Sequence, residues 1–345
     1  MGRKQTEVTG NPGTASEGFT FARGLKLVIV IPVYNDWEVA DLLLQQLDAV
    51  CAKSGLRPAV LLIDDGSALA IPDDFLAWRP AALLRVDVLE LYKNLGHQRA
   101  ICVALVRVSQ DSPDSAILVM DADGEDAPEQ VPQLIRAFLE RGQREAVFAA
   151  RRRRLEGFAF RAFYQLYRLL HLLLVGSDIR VGNFSVIPPA LVPRLVRSSE
   201  LWNHYAACVI KSKLPMSTVP LDRGKRLKGR SKMGLVGWVL HGLSAMSVYT
   251  DIIGVRILML TCVILGLGLV TLVAVVIVRL STNWAMPGLA TNMVGLTLVL
   301  MFQVVIVCLL FTFGVLASRG GQAFIPVRDC PYFVLSVRRL EFKGV

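Results

Sequence analysis

The sequence predicts an α/β domain on a parallel, doubly wound sheet, followed by interfacial helices and a two-helix membrane hairpin. Three observations predict it. Short β-branched runs alternate with longer helical patterns from Leu25 onward, acids and amides gather where those runs end, and two long uncharged apolar stretches fill the last third of the chain.

The elements follow in order. A first strand, LKLVIVIPVYND, leads into a helix from about Glu38 to Cys51. The strand AVLLIDDGS comes next, then VDVLELYKNLG with a helix from about Gln98, then AILVMDADGE with a helix from Pro128, and finally AVFAAR. Open sheets of this kind bind ligands beyond the carboxyl ends of their strands. Asn35 and Asp36, Asp64 and Asp65, Asn94 to His97, and Asp121 to Asp126 all fall there. Residues 1–24 are rich in Gly, Thr, Ser and charge without an apolar core of signal-peptide length, and read as a flexible tail before a domain, 25–232, that stays in the cytoplasm.

The rest of the chain reads as membrane-associated. Phe158 to Val175 sets Arg161, Gln165, Arg168 and His171 on one helical face and aromatics on the other, as an interfacial helix does, the alternative being a core helix with one wet face. A second such segment, with Trp238 and Tyr249, defines a juxtamembrane helix over 233–256. Ile257 to Val278 is uncharged, and at about 1.5 Å per residue it crosses a hydrocarbon core about 30 Å thick. A second apolar run ends near Ser318, giving a hairpin over 257–318 and a cytoplasmic tail over 319–345. Both outer flanks are basic, at Arg256 and from Arg319, so the positive-inside rule puts the 25–232 domain and both termini on the cytoplasmic side of the inner (cell) membrane. Neither span carries a clear small-xxx-small stripe, which leaves homo-oligomerisation open.

Charge and cysteine usage narrow the partners. The net charge is +10, with bases concentrated at Arg151 to Arg154 and at Lys211 to Lys232, each cluster preceding an apolar stretch. Each base near an anionic headgroup contributes about 1 kcal/mol, so this placement favours a membrane surface over nucleic acid. The six cysteines show no CxxC or Cys/His ligand spacing, which fits a reduced compartment and excludes a structural zinc site.

The chemistry is carried by the strand ends. Asp121-Ala122-Asp123-Gly124-Glu125 follows an apolar strand, and Asp121 and Asp123 there offer hard oxygen ligands to Mg²⁺ or Mn²⁺, which neutralises a departing diphosphate. Asp126, Glu129 and Pro128 read as a helix entry, with Glu125 between the two readings. Pro32 and Tyr34 are placed to wall a nucleotide base, while Asp36 either contacts the nucleotide or caps a helix. Asp65 accepts hydrogen bonds from base or ribose beside the tight turn at Gly66, unless the pair is only a turn. His97 opens a helix whose positive end favours an anion, in a contact or a capping role. The cluster from Arg223 to Lys232 combines glycines with cations that fold over phosphates or dock on headgroups.

These residues resemble the polyprenyl-phosphate glycosyltransferases of glycosyltransferase family two, over roughly residues 25 to 320. The likeness rests on Pro32-Val33-Tyr34-Asn35, Asp64-Asp65-Gly66-Ser67, Asn94-Leu95-Gly96-His97, Asp121-Ala122-Asp123, Arg226 with Gly229, Ser231 and Lys232, and the trailing hairpin. It implies a GT-A fold and inverting transfer from a nucleotide-diphosphate sugar to an undecaprenyl or dolichyl phosphate. It also implies a metal on Asp121, Asp123 and Glu125, nucleotide contacts from Asp36 and Asp65, and Arg226, Ser231 and Lys232 at the phosphates. Two departures stand out. Glu125 replaces a common amide, and Gly182-Asn183-Phe184-Ser185 replaces Gly-[Asp/Ser]-Phe-Arg, with Asp178 upstream as the alternative carboxylate. The absence of Gln-x-x-Arg-Trp argues against a processive polysaccharide synthase. The competing readings are another lipid or glycan acceptor, and an idle membrane adaptor that keeps the fold.

Overall fold

β1 (Leu27–Val33) is buried along its whole length. A strand buried on both faces belongs in the middle of a covered sheet. Ile29, Ile31 and Val33 point to one hydrophobic layer, and Val28 and Val30 to the other. The computed structural model describes residues 24–151, 165, 169, 171–176, 181–222, 224–228, 234–281, 288–320 and 323–343. The expected N-terminal tail, Arg152 to Arg154, most of the helix from Phe158, Asp178, Ser231 and Lys232 lie outside them.

β2 (Ala59–Asp64), β3 (Arg85–Leu91) and β4 (Ala116–Val119) pair in parallel in the order β3-β2-β1-β4. Helices α1 (Trp37–Ser54) and α3 (Val131–Glu140) cover one face, where Leu43, Leu47, Leu134 and Phe138 join the first layer. Helix α2 (His97–Asp111) covers the other with Ile101 and Leu105. These are the alternations the sequence displays.

The complete sheet has eight strands in the order β7-β5-β6-β4-β1-β2-β3-β8, and it is mixed rather than wholly parallel. β6 (Val181–Ile187) enters antiparallel between β4 and β5 (Ala146–Arg151), and β5 pairs in parallel with β7 (Met216–Leu221). Only the first half obeys the strand-helix-strand rule that enforces parallel pairing.

The C-terminal tail expected over 319–345 is also corrected. β8 (Val334–Leu340) lies antiparallel on β3, so the chain returns to the eight-stranded sheet after the hairpin. Phe324 and Phe333 stack on Trp202 at centroid distances of 4.2 and 5.1 Å. The Val327 N–H bonds the Val196 carbonyl at 2.9 Å, and Cys330 is buried with its Sγ 3.7 Å from that of Cys102.

Between α4 (Tyr205–Lys211) and that return come α5 (Leu235–Ser247), α6 (Thr250–Ser281) and α7 (Leu289–Gly320). α6 and α7 are long and apolar enough to cross a membrane, and their most apolar windows are 0% and 6% buried within the protein. A soluble domain does not leave so much contiguous apolar surface uncovered. The hairpin is riveted to the α/β domain at its start. Lys211 Nζ bonds the Val248 carbonyl at 2.7 Å and sits 3.0 Å from Glu200 and 3.2 Å from Asp251. His171 does not face headgroups as expected: it is buried, its ring meeting Tyr249 edge-on at 6.1 Å.

Candidate active site

The loops at the carboxyl ends of β1, β2, β3 and β4 are stitched to one another by their own polar side chains. Asn35, with φ of 56°, accepts from the backbone N–H groups of Ala68 and Leu69 through Oδ1, and its own N–H donates to Ser67 Oγ. Asp64 Oδ1 accepts from the Ser67 N–H at 2.8 Å. Asp65, 4% exposed, accepts from the Leu95 and Gly96 N–H groups at 2.7 and 2.9 Å. Burial raises its carboxyl above the usual range, against the pull of those two bonds. Asp65 thus holds the 94–96 loop with both oxygens. Gly66 makes the approach possible: it adopts φ of +67°, and a Cβ there would fall 2.5 Å from the Asn94 nitrogen.

Other expected residues are dispersed. Pro32 is buried within β1 opposite Ile63, whereas Tyr34 just beyond is 44% exposed and presents a ring. Asp36 stands at the N-cap of α1 but its side chain makes no capping bond. Asp126, 2% exposed, does not cap a helix either. Its Oδ2 accepts the Asp121 N–H at 3.0 Å and so folds the acidic loop back on itself, while Pro128 opens a short 3₁₀ turn (Pro128–Gln130) that leads into α3.

The acidic loop faces a basic strap. Residues 224–228 lie directly over it: the Gly224 N–H bonds the Glu125 carbonyl at 2.9 Å, and the Leu227 N–H bonds that of Asp123 at 3.0 Å. Gly124, at φ of +83°, lets Leu227 pack where a Cβ would come within 2.4 Å of its Cγ. Lys228 pairs with Glu38 on α1. Arg226 reaches inward, its Nη2 2.8 Å from Asp123 Oδ2 and 3.3 Å from Glu125 Oε1. Asp123 Oδ1 accepts the Glu125 N–H at 2.9 Å. Burial, with Asp121 and Glu125 nearby, raises the Asp123 carboxyl, and Arg226 offsets only part of this. Asp121 turns elsewhere: its Oδ1 lies 3.0 Å from His97 Nε2. Desolvation works against a charged His97, but Asp121, with Asp126 and Asp65 behind it, outweighs this and raises its pKa.

Two carboxylates that converge on one cationic nitrogen form a hard-oxygen grip of the type that suits Mg²⁺ or Mn²⁺. Asp123 and Glu125 fit that role. Among the described residues no three acids, histidines or cysteines are gathered into a ready cluster, because Asp121 points to His97. The sequence reading missed Asn183 and Gln98, buried amides linked to His97. Their one signal was the altered Gly-Asn-Phe-Ser element.

A mixed sheet with this acidic strand end and basic strap defines an α/β domain of the GT-A type. Residues 28–187 match the family model described as Glycosyl transferase family 2. The chain is 26% identical over 325 residues to the undecaprenyl-phosphate 4-deoxy-4-formamido-L-arabinose transferase of Edwardsiella ictaluri, covering 90% of this chain and 94% of that protein. To the protein of the same name from Erwinia tasmaniensis it is 33% identical over 110 residues, which cover 32% of this chain and 33% of the relative. Among solved structures, glucosyl-3-phosphoglycerate synthase from Mycobacterium tuberculosis, in complex with Mn²⁺, UDP-glucose and phosphoglyceric acid, aligns with a TM-score of 0.49 at 15% identity, covering 67% of this chain and 80% of that one. Mannosyl-3-phosphoglycerate synthase from Rubrobacter xylanophilus gives 0.46 at 18% identity, covering 66% and 73%.

Proposed function

We infer that this chain transfers a sugar from a nucleotide-diphosphate sugar to a polyprenyl phosphate, at the cytoplasmic face of the inner membrane. The observation that carries the reading is the convergence of Asp123 and Glu125 on one cation at a strand end, in a domain anchored to an apolar hairpin. The Edwardsiella relative, aligned over nearly its whole length, is named for an undecaprenyl-phosphate acceptor. Because β8 shares a sheet with β1, a hairpin that crosses the bilayer must enter and leave on the catalytic side.

In this reading Asp123 and Glu125, with Asp121 on release from His97, hold Mg²⁺ or Mn²⁺. When bound, the ion supplies charge neutralisation for the leaving diphosphate. Tyr34 offers a face to the base. The acceptor phosphate is already anionic and attacks the anomeric carbon as the bond to the diphosphate oxygen breaks, with inversion, so positioning outweighs proton transfer. Arg226 changes partner from acids to phosphate, and Asp178, Ser231 and Lys232 take the roles their resemblance implies.

The test uses the full chain in lipid nanodiscs with Mg²⁺, radiolabelled nucleotide-sugars and undecaprenyl phosphate. Labelled lipid that is released by mild acid and absent after chelation is expected. Label transferred only to a non-phosphate acceptor, or formed undiminished in excess chelator, overturns the reading.

Arg226 gives a second measurement. Removing a partly exposed guanidinium that competes for the same oxygens is worth about 1 kcal/mol, so Arg226→Met should tighten Mg²⁺ binding in calorimetry about fivefold. Transfer should fall about tenfold in the same variant, for want of a phosphate partner. Unchanged Mg²⁺ affinity would show that the guanidinium does not occupy the cation position.

A further inference from the structure

Behind the acidic loop runs a chain of amides whose direction is fixed at its far end. A backbone N–H only donates, and that of Tyr205 donates to Gln98 Oε1 at 2.9 Å. Gln98 must therefore present Nε2 to Asn183, whose Oδ1 accepts it at 3.1 Å. Asn183 in turn presents Nδ2 to His97 Nε2, at 2.9 Å. An amide nitrogen carries protons and no usable lone pair, so this contact asks for an unprotonated Nε2. Asp121 Oδ1, 3.0 Å from the same Nε2, asks for a protonated one. One nitrogen faces two partners with opposite demands and serves one at a time.

The two partners are not equally movable. Gln98 and Asn183 are each 9% exposed. Ser185 Oγ ties this strand down, donating to the Asn183 carbonyl at 2.8 Å and meeting the Tyr205 hydroxyl at 2.6 Å. The Asp121 side chain is 27% exposed and sits on the loop that meets the donor. We propose that Asn183 is a positioning residue for transfer: the buried amide chain from Tyr205 through Gln98 and Asn183 retains the His97 ring in place when Asp121 leaves the ring for the donor's diphosphate side. The proposal rests on the reading of Asp121 as a donor-side acid.

A double-mutant cycle in the full chain in nanodiscs tests it, scored as kcat/KM for the nucleotide-sugar. His97→Ala and Asn183→Leu should each lose about tenfold, and the double variant no more than His97→Ala alone, because Asn183 acts only through the ring. Losses that multiply overturn the proposal, as does an undiminished His97→Ala. Full activity in Asp121→Asn overturns the underlying reading instead, so the two failures are distinguishable. A readout without turnover is ¹⁵N spectroscopy of histidine-labelled protein with Mg²⁺, His97 being assigned among the four histidines by its loss in His97→Ala. The wild type should show an acceptor-type Nε2. Asn183→Asp, which keeps the shape and the bond from Gln98 but turns an oxygen to the ring, should show Nε2–H. An Nε2 state identical in both proteins overturns the proposal even where Asn183→Leu fails to fold.

Discussion

Asp123→Asn should reduce sugar transfer about 10³-fold while leaving the fold intact. The substitution is nearly isosteric, and the amide oxygen can still accept the Glu125 N–H that Asp123 Oδ1 now accepts at 2.9 Å. The other half of the group changes sign. An NH₂ replaces Oδ2, the atom 2.8 Å from Arg226 Nη2, so donor faces donor and no negative oxygen remains to share a cation with Glu125. Loss of one charged contact to a developing diphosphate costs about 3 to 4 kcal/mol, or about a thousandfold in rate. The raised carboxyl of Asp123 already reflects strain from burial beside Asp121 and Glu125, so neutralising it relieves some like-charge repulsion. The melting temperature should consequently hold or rise slightly. The pair of measurements is Mg²⁺ titration by calorimetry and initial rate in saturating Mg²⁺. Retention of more than about a tenth of wild-type activity would remove Asp123 from the reaction.

The contrast between Asp123 and Asp65 shows how far the sequence could be read. Both follow β-branched runs, and both are acids beside a glycine in chain order. What separates them is depth. Asp65 is 4% exposed and engaged by two backbone N–H groups, whereas the Asp123 side chain is 27% exposed and meets the strap. Depth is set by which loops arch over a residue, and the loop over Asp65 lies 30 positions away. The alternation from β1 to β5 was legible because hydrophobic periodicity is local. β6 to β8 and the Asn183–His97 contact were not, since their partners sit far along the chain, 86 positions apart in the latter case. The apolar hairpin was plain in composition alone, but its attachment through Lys211 and Tyr249 depends on tertiary packing that no periodicity records.

A chain ended after Ala323 should lose much of its stability, although it keeps the catalytic motifs and both apolar helices. The deleted segment supplies Phe324, Val327, Cys330 and Val334 to the layer under α2, and the Trp202 ring would lose both stacking partners. Half-burial of such side chains contributes about 1 kcal/mol each, so together with the Phe333 ring the loss approaches about 5 kcal/mol, a large part of a domain's usual 5 to 15. Deletion would also leave β3 as an open edge, a hazard for aggregation. The effect should reach the site, because the Phe333 carbonyl accepts the Tyr92 N–H at 3.0 Å, immediately before the Asn94 to His97 loop. Trp202→Ala is the graded version, expected to cost about 3 kcal/mol with the strand still present. Thermal unfolding in nanodiscs should therefore rank wild type above Trp202→Ala and both above the truncated chain, with activity following the same order. A truncated chain that melts and turns over like the full one would show that β8 only decorates the sheet. The opposite result would make the return strand the clamp that ties the far end of the hairpin to the loop carrying His97.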